Sequence, residues 1–297
     1  MGKSLNVREP EAGIPFVDTH CHIADRNFKG SLPSPAKQLT DYRKAGGQFL
    51  VLCSIDIESA KDGLAFAKAN ERVYFTCGWA PQTVTYTAIA KYEKEYAEWV
   101  RLIENNEGSI LAFGEIGLDF HHAKTLEKRD RQIAELDRIL TLVSPKKKPI
   151  VLHVRNAAPV DEDRGHPEHA YNKPDGAVRV IMEMLARHRI QPSTVLFHCY
   201  SGPATMNAEL ARMGFWFSVP SSAFGIEKWN KVSKTLPLDR LVTETDSPFQ
   251  HPTSMEPENT PVNARYAVAA IAHARNVSQL DVGKKTVENA RAFFHLP

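Results

Sequence analysis

Cysteine is scarce in this chain of 297 residues, which has only Cys21, Cys53, Cys77 and Cys199 and no Cys-x-x-Cys pair. All four lie in or beside apolar runs that resemble strands, where a free cysteine behaves as a small buried hydrophobic residue. This pattern excludes a disulfide scaffold and predicts a reduced, cytoplasmic protein.

Long hydrophobic runs and a strong net charge are also missing. No apolar run is long enough to cross a membrane, and the first ten residues lack the apolar core of a signal peptide, so we expect no membrane association. The formal net charge is +2 and the sequence pI is about 8.3, which argues against a protein that coats polyanions in general. The only tight basic run, Lys146-Lys147-Lys148, is predicted to be a solvated loop.

Short apolar runs and longer amphipathic segments alternate along the chain. Strands are predicted at Phe16–His22, Phe49–Asp56, Val73–Ala80, Ile110–Asp119, Ile150–Asn156, Val195–Tyr200, Phe215–Pro220 and Leu241–Asp246. Most of these runs are continuously apolar, as expected for a parallel sheet that is covered on both faces. Helices are predicted at Ser59–Asn70, Ala88–Asn105, Leu126–Leu142, Ala177–His188, Ala204–Met213, Glu227–Leu236, Val262–Arg275 and Leu280–Phe294, with Ser278 placed to start the last one.

Eight strand-then-helix units predict an α/β fold, a (β/α)8 TIM barrel. The alternative is a doubly wound open sheet, but no Gly-rich phosphate turn follows the first strand. Because no Gly- or Ser-rich linker occurs, residues 1–297 are expected to form a single domain with an N-terminal extension at 1–14. Residues 159–174 are long, polar and follow the fifth strand, so they are either a lid or substrate-facing loop on the catalytic rim or a surface insertion.

Polar residues recur where the predicted strands end, and in a parallel barrel these ends meet at one mouth. The residues are His20, His22, Glu115, His153, His198 and Asp246. His20 and His22 alternate with Cys21 and therefore point to the same face, which Asp18 shares and from which it could orient a ligand. Taken singly, each residue has a structural alternative, such as a core histidine or a turn cap, but their joint placement predicts a metal site.

Four imidazoles and two carboxylates are too many ligands for a single tetrahedral zinc ion. They predict a site for one or two divalent ions in which Glu115 is the bridge. Mixed nitrogen and oxygen donors suit Zn²⁺ or Mn²⁺ better than Mg²⁺. Asp246 could both bind a metal and accept a proton from an attacking water. Asp119 is expected to be a helix-start or loop group rather than a ligand.

Five blocks of this sequence resemble the signatures of the TatD family of metal-dependent hydrolases, several of which act as deoxyribonucleases. The blocks are Asp18-Thr-His20-Cys-His22, Gly114-Glu115-Ile-Gly117-Leu-Asp119, Leu152-His153-Val-Arg155-Asn156-Ala157, Phe197-His198-Cys-Tyr-Ser201-Gly202 and Glu244-Thr245-Asp246-Ser-Pro248. The resemblance extends from the first strand to Phe294. It implies a (β/α)8 barrel, the six ligands named above, and a DNA phosphodiester as substrate, often cleaved from a 3′ end.

Three features refine this resemblance. The family commonly carries Gly-x-His-Pro-His after the third strand, whereas this chain reads Gly78-Trp79-Ala80-Pro81-Gln82, which leaves the metal site intact and affects the substrate. Arg155 matches a family arginine that could reach a phosphate, but as a neighbour of His153 it is expected to face the other way unless the strand has ended. The third feature is the segment at 159–174, whose Arg164, His166, His169 and Lys173 either contact phosphate or keep the loop soluble.

The leading hypothesis is therefore a metal-dependent deoxyribonuclease, an exonuclease by family resemblance, that works through a metal-activated water with Asp246 and Glu115 as catalytic residues. A second hypothesis keeps the site but changes the bond, as in an ester or amide hydrolase such as a D-aminoacyl-tRNA deacylase. Glu115 at the place of the carboxylated lysine argues against the cyclic-amidase and phosphotriesterase branches of the superfamily. A third hypothesis is a metal-binding barrel with little turnover. Trp79, Tyr200, Phe224 and Phe249 are candidates for stacking on bases.

Overall fold

The computed structural model of the protein describes residues 7–28, 32–160, 171–200, 202, 204–253 and 258–297. Eight parallel strands follow one another in chain order around a nearly closed barrel. The strands are β1 (Phe16–Cys21), β2 (Gly47–Cys53), β3 (Val73–Cys77), β4 (Ala112–Asp119), β5 (Ile150–Arg155), β6 (Val195–His198), β7 (Trp216–Pro220) and β8 (Leu241–Glu244). The predicted TIM-barrel class is thus confirmed.

Helices separate successive strands along the chain. They are α1 (Pro35–Lys44), α2 (Ile57–Ala69), α3 (Pro81–Tyr86), α4 (Ile89–Asn106), α5 (Leu126–Val143), α6 (Gly176–Arg187), α7 (Ala204–Met213), α8 (Glu227–Thr235), α9 (Ala264–Arg275) and α10 (Gln279–Phe294). Ser278 caps α10 as predicted, because its hydroxyl oxygen accepts a hydrogen bond from the Asp281 amide at 3.0 Å. No helix in the described ranges is long and apolar enough to cross a bilayer.

Two helices were not predicted, and several strands are shorter than predicted. Helix α1 buries only Gln38, Leu39 and Tyr42, so its apolar periodicity is weak, and α3 has six residues, too few to show a period. β8 ends two residues before its predicted end, and β2 and β3 end three residues early, because the chain leaves the hydrogen-bonded ladder there.

The strands divide their side chains between two apolar clusters. In β2, Phe49 and Val51 belong to a cluster inside the barrel, whereas Leu50 and Leu52 pack under the surrounding helices. Phe293 and Phe294 of α10 belong to the inner cluster, and the Phe293 ring lies 5.7 Å from that of Trp216. The end of α10 therefore closes the floor of the barrel, and the functional groups are confined to the opposite mouth.

The seam between β1 and β8 is closed by side chains in addition to backbone bonds. The Thr19 hydroxyl donates to the Thr243 carbonyl at 3.0 Å, and the Thr243 hydroxyl donates to the Val17 carbonyl at 2.6 Å. Beyond the strands, the Asp246 amide donates to the His20 carbonyl at 2.8 Å. Two of the predicted ligand segments are therefore joined directly across the seam.

The segment after β5 is anchored at both of its described ends. The Asn172 side chain accepts from the Val160 amide at 2.9 Å and donates to the Val160 carbonyl at 3.0 Å. The buried guanidinium of Arg129 donates to the Ala158 carbonyl at 2.8 Å and also contacts Asn172. Of the predicted phosphate contacts in this segment, Arg164, His166 and His169 lie outside the described residues.

We expect Phe293→Ala to lower the free energy of unfolding by about 3–5 kcal/mol, because the substitution leaves a cavity in the floor of the barrel. Guanidinium unfolding followed by circular dichroism measures the change. Leu280→Ala, on the same helix but 40% exposed, is the matched control and should cost about 0.5 kcal/mol or less. Equal losses in the two variants would show that the α10 end does not seal the core.

Candidate metal centre

The six predicted ligands come together at the carboxyl ends of the strands. His20 lies in β1, Glu115 in β4 and His153 in β5, while His198 ends β6. His22 follows β1 by one residue and Asp246 follows β8 by two. The Nε2 atoms of His20 and His22 are 3.2 Å apart, as their spacing predicted.

Glu115 lies between two pairs of histidines. Its Oε2 atom is 3.3 Å from His20 Nε2 and 3.7 Å from His22 Nε2. Its Oε1 atom is 2.7 Å from His153 Nδ1 and 3.5 Å from His198 Nε2. Because each oxygen faces a different pair, the carboxylate has the arrangement of a bridge between two ions.

Asp246 completes the group on the His20 side. Its Oδ1 atom is 3.3 Å from His22 Nε2 and 3.6 Å from His20 Nε2. Three overlapping sets of ligand atoms lie within 4.8 Å of one another: His20, His22 and Glu115; Glu115, His153 and His198; and His20, His198 and Asp246. Imidazole nitrogens and carboxylate oxygens in such sets suit a transition-metal ion, and Glu115 and His198 allow two ions to be neighbours.

Cys53 holds the outer nitrogens of the first histidine pair. Its Sγ atom lies 3.1 Å from His20 Nδ1 and accepts from the Thr76 hydroxyl at 3.0 Å, while its carbonyl lies 3.0 Å from His22 Nδ1. With both Nδ1 atoms engaged, the Nε2 atoms are left to face Glu115. The sequence indicated only a small buried hydrophobic residue at Cys53, because its role depends on the inner face of β2.

Glu244 faces the outer nitrogen of His198. Its Oε2 atom lies 3.7 Å from His198 Nδ1, and both residues are buried. Within the described ranges, His198 Nδ1 and both carboxylate oxygens of Glu244 have no hydrogen-bond partner. A histidine that binds a metal through one nitrogen usually donates its other N–H to a carboxylate or carbonyl. This unpartnered pair therefore fits a metal ion on the Glu115 side of His198.

Asp119 serves His153 in the same way. It is the last residue of β4 and is fully buried, so the expectation of a helix-start or loop group is wrong. Its Oδ2 atom lies 3.0 Å from His153 Nε2 and 2.8 Å from both Gln82 Nε2 and His122 Nδ1. Gln82, one of the two residues that stand where the family commonly has histidines after the third strand, thus contacts the metal centre through Asp119.

Asp18 ties two ligand segments together. Its Oδ1 atom accepts from the backbone amides of His20 at 3.1 Å and Thr245 at 3.0 Å. Its Oδ2 atom accepts from the Thr245 hydroxyl at 2.5 Å. Complete burial raises the Asp18 pKa well above its usual value, although these hydrogen bonds oppose the shift. Asp18 therefore orients the backbone of the ligand segments rather than an imidazole.

The carboxylates of the centre are held in the ionised form. Burial opposes ionisation of Glu115, but His198, His153 and His20 outweigh it and keep its pKa well below the usual value. Burial likewise opposes ionisation of Asp246, whose pKa is lowered by His22, His198 and His20. Both groups can therefore act as anionic metal ligands at neutral pH.

Neighbouring carboxylates raise the pKa of three of the four histidines. Burial alone would lower the pKa of His153, but Asp119 and Glu115 raise it to about 9. Burial is likewise outweighed at His198 by Glu115 and Glu244, and at His22 mainly by Asp246, so both pKa values are raised. In contrast, burial and the neighbouring His198 lower the pKa of His20. Metal ions must therefore compete with protons at three of the four rings.

A cavity of about 700 Å³ opens above the centre, and His22, Glu115, His153, His198 and Asp246 are among the residues that line it. Arg155 also lines this cavity, so the expectation that it faces away from His153 is wrong. The two residues are two positions apart on β5 and therefore share a face.

Other residues of the cavity wall come from the surrounding loops. Lys228 of α8 lies on it with Arg155, and Phe28 and Phe249 form an aromatic pair 5.2 Å apart. Of the four aromatic residues considered for stacking, only Phe249 lines the cavity. Trp79, Tyr200 and Phe224 are buried elsewhere in the packing.

Comparison with known proteins agrees with this geometry. A family model described as TatD related DNase matches residues 17–295. An uncharacterized metal-dependent hydrolase of Methanocaldococcus jannaschii is 28% identical over 282 residues, covering 95% of this chain and 97% of that protein. Deoxyribonuclease TATDN3 of Homo sapiens is 26% identical over 295 residues, covering 95% of this chain and 96% of that protein. The solved structure of YJJV, a TatD homologue of Escherichia coli K12, matches with a TM-score of 0.75 at 23% identity and covers 95% of this chain and 98% of its own chain. This match supports the barrel fold.

We expect Glu244→Gln to weaken metal binding about 10–100-fold, because the carboxylate that faces His198 Nδ1 is lost while the volume is kept. Competition with a metal-binding dye measures the affinity. Glu93→Gln, a surface substitution on α4, should leave the affinity unchanged. An affinity of Glu244→Gln equal to that of the wild type would show that the carboxylate does not support His198.

Metal loading should release protons at neutral pH, and the apparent affinity should rise with pH. A histidine binds metal only when the ligating nitrogen is unprotonated, and the pKa of His153, raised to about 9, and the raised pKa values of His198 and His22 favour the protonated rings. Competition from protons should therefore ease as pH rises. Calorimetry with Mn²⁺ in two buffers of different ionisation enthalpy counts the protons. A count of zero at pH 7 would contradict this protonation state.

Proposed function

The chain belongs to the TatD-related DNase family of metal-dependent hydrolases, and from this premise we propose that it hydrolyses phosphodiester bonds of DNA from a strand end. The observation that carries the proposal is Glu115, whose two oxygens face separate histidine pairs at the floor of an open cavity. A pair of adjacent cation sites is the arrangement that suits in-line displacement at a phosphodiester.

His20, His22 and Asp246 would hold one ion, His153 and His198 would hold the other, and Glu115 would contact both. When bound, divalent ions at these residues supply an acidified water and offset the negative charge on the phosphate oxygens. The protein contributes fixed positions for that chemistry. Cys53, Glu244 and Asp119 keep the imidazoles aimed at the shared carboxylate, so little rearrangement is needed when the substrate binds.

Asp246 is the proposed proton acceptor. It lines the cavity, and its side chain is 15% exposed, more than that of Glu115. Its carboxylate is ionised because of the neighbouring histidines. It can therefore take a proton from the water that attacks phosphorus, whereas Glu115, enclosed between four imidazoles, has no free oxygen for this role.

The walls of the cavity suit a nucleic-acid strand. Arg155 and Lys228 both line it, and in the described part of the chain neither is paired with a carboxylate. Burial and the charge of Arg155 lower the Lys228 pKa, so an anion between them would relieve the repulsion of the two cations. A phosphate next to the scissile one would meet this requirement.

The aromatic pair offers a surface for a base. Phe249 is 41% exposed and packs edge-on against Phe28, which in turn contacts the His22 ring at 5.9 Å. Stacking on an aromatic face is tolerant of sequence, as a nonspecific nuclease requires. Stacking of this kind requires an unpaired strand rather than an intact duplex.

We expect the protein loaded with Mn²⁺, Zn²⁺ or Mg²⁺ to degrade single-stranded DNA, and Asp246→Asn to lower the rate by about 10²–10⁴-fold through loss of the proton acceptor. Gel analysis of an oligonucleotide labelled at either end measures the rate and shows whether fragments shorten stepwise. Asp239→Asn, on the surface, is the matched control and should retain full activity.

Two further substrates distinguish the alternatives. If D-aminoacyl-tRNA is deacylated while the oligonucleotide remains intact, the site serves ester hydrolysis and the proposed deoxyribonuclease activity is wrong. If the metal-loaded protein leaves DNA, D-aminoacyl-tRNA and aryl phosphodiesters intact, the barrel binds metal without turnover. Cleavage of the labelled strand at internal positions would support DNA hydrolysis but contradict attack from a strand end.

A further inference from the structure

We propose that His122 is the general acid of the reaction, the group that gives a proton to the leaving oxygen. This inference rests on the proposed phosphodiester hydrolysis and adds a residue that neither the strand-end pattern nor the metal groups include. His122 lies in the loop between β4 and α5, lines the cavity, and has a side chain that is 33% exposed.

Asp119 fixes the orientation of the His122 ring. The Nδ1 atom of His122 lies 2.8 Å from Asp119 Oδ2, and its backbone amide donates to Asp119 Oδ1 at 3.1 Å. Gln82 Nε2 donates to the same Oδ2 atom at 2.8 Å, so this oxygen is placed as an acceptor. When the His122 ring carries two protons, its Nδ1–H donates to Asp119 and its Nε2–H is the proton left for a substrate.

The loop that carries His122 is held by hydrogen bonds and packing. The Ala123 amide donates to the Asp119 carbonyl at 3.0 Å, and Ala123 is fully buried. The Ala123 carbonyl accepts from the buried guanidinium of Arg129 at 3.2 Å. The Tyr86 ring packs edge-on against the His122 ring at 6.0 Å. The imidazole therefore has a set position beside the metal centre without being one of its ligands.

Asp119 connects His122 to the reacting site. The same Oδ2 atom contacts His153 Nε2 at 3.0 Å, and His153 Nδ1 faces Glu115. One buried carboxylate thus supports a metal ligand on one side and a second imidazole on the other. A hydrogen bond of this kind orients an acid or base relative to the metal groups, in the way that an aspartate orients a catalytic histidine.

The proton balance of the step is simple. As the water oxygen bonds to phosphorus, the bond from phosphorus to the leaving oxygen breaks, and the proton on His122 Nε2 moves to that oxygen. Asp246 takes the proton that the water loses. Both groups return to their starting forms by exchanging protons with solvent, and nothing is oxidised or reduced. The acid is needed because an alkoxide leaving group is a strong base, whereas a nitrophenolate leaves without a proton.

The test compares leaving groups in His122→Asn, whose amide can still donate to Asp119 but cannot give up a proton. We expect its kcat on a DNA oligonucleotide to fall about 10²–10⁴-fold and its kcat on bis(p-nitrophenyl) phosphate to stay within about threefold of the wild type. His273→Asn on α9 is the matched control, since His273 is exposed and is not one of the cavity-lining residues. It should leave both rates unchanged.

Each outcome decides the matter. Equal losses on the two substrates, or no loss on DNA, would overturn the acid role while leaving the proposed function standing. A wild-type enzyme that cleaves neither phosphodiester would overturn the proposed function and this inference with it. His122→Gln, with the melting temperature and metal content measured alongside, repeats the comparison in a second variant and must show the same selective loss on DNA.

Discussion

A buried carboxylate between four imidazoles is the constraint on which the mouth of this barrel depends. Glu115 is 5% exposed, and a carboxylate removed from water to this extent must be compensated by charged or hydrogen-bonding partners. Its two oxygens obtain these partners from different strands, His20 and His22 on one side and His153 and His198 on the other. The side chains that point into the barrel around Glu115 must therefore be polar.

The constraint extends to the residues behind the imidazoles. Each ring that faces Glu115 through one nitrogen presents the other to a buried group, and those groups are Cys53, Asp119 and Glu244. The same principle joins the strands at the seam, where Asp18 accepts hydrogen bonds from both ligand-bearing segments. Hydrogen bonds thus join most of the metal groups to Cys53, Asp119 and the closure of the barrel, while Glu244 faces His198 Nδ1 at 3.7 Å without one.

The positions of the metal-binding residues could largely be predicted from the sequence. Each of the eight strands is a compact apolar run, and a polar residue at the end of such a run stands out. Alternation along a strand then places the inner face correctly, as it did for His20 and His22. The same alternation places Arg155 on the face of His153, because the two residues are two positions apart on β5.

Other features of the site were beyond sequence reasoning because they depend on tertiary contacts. Cys53 and Glu244 are the last residues of β2 and β8, and what each one supports is decided only when a neighbouring strand brings an imidazole to it. His122 lies in a loop, and only the turn that returns it to Asp119 places it on the cavity wall.

The two parts of the site differ in how freely they can vary. At the metal groups, a change at any of the four histidines leaves the buried Glu115 carboxylate with one charged partner fewer. The cavity wall has no such requirement, and Gln82 satisfies Asp119 there as a neutral donor at 2.8 Å. Loops after β3, β4 and β8 can therefore change substrate contacts without disturbing the metal groups. With the metal groups fixed in this way, the choice of substrate would fall to residues of the cavity wall such as His122, Arg155 and Phe249.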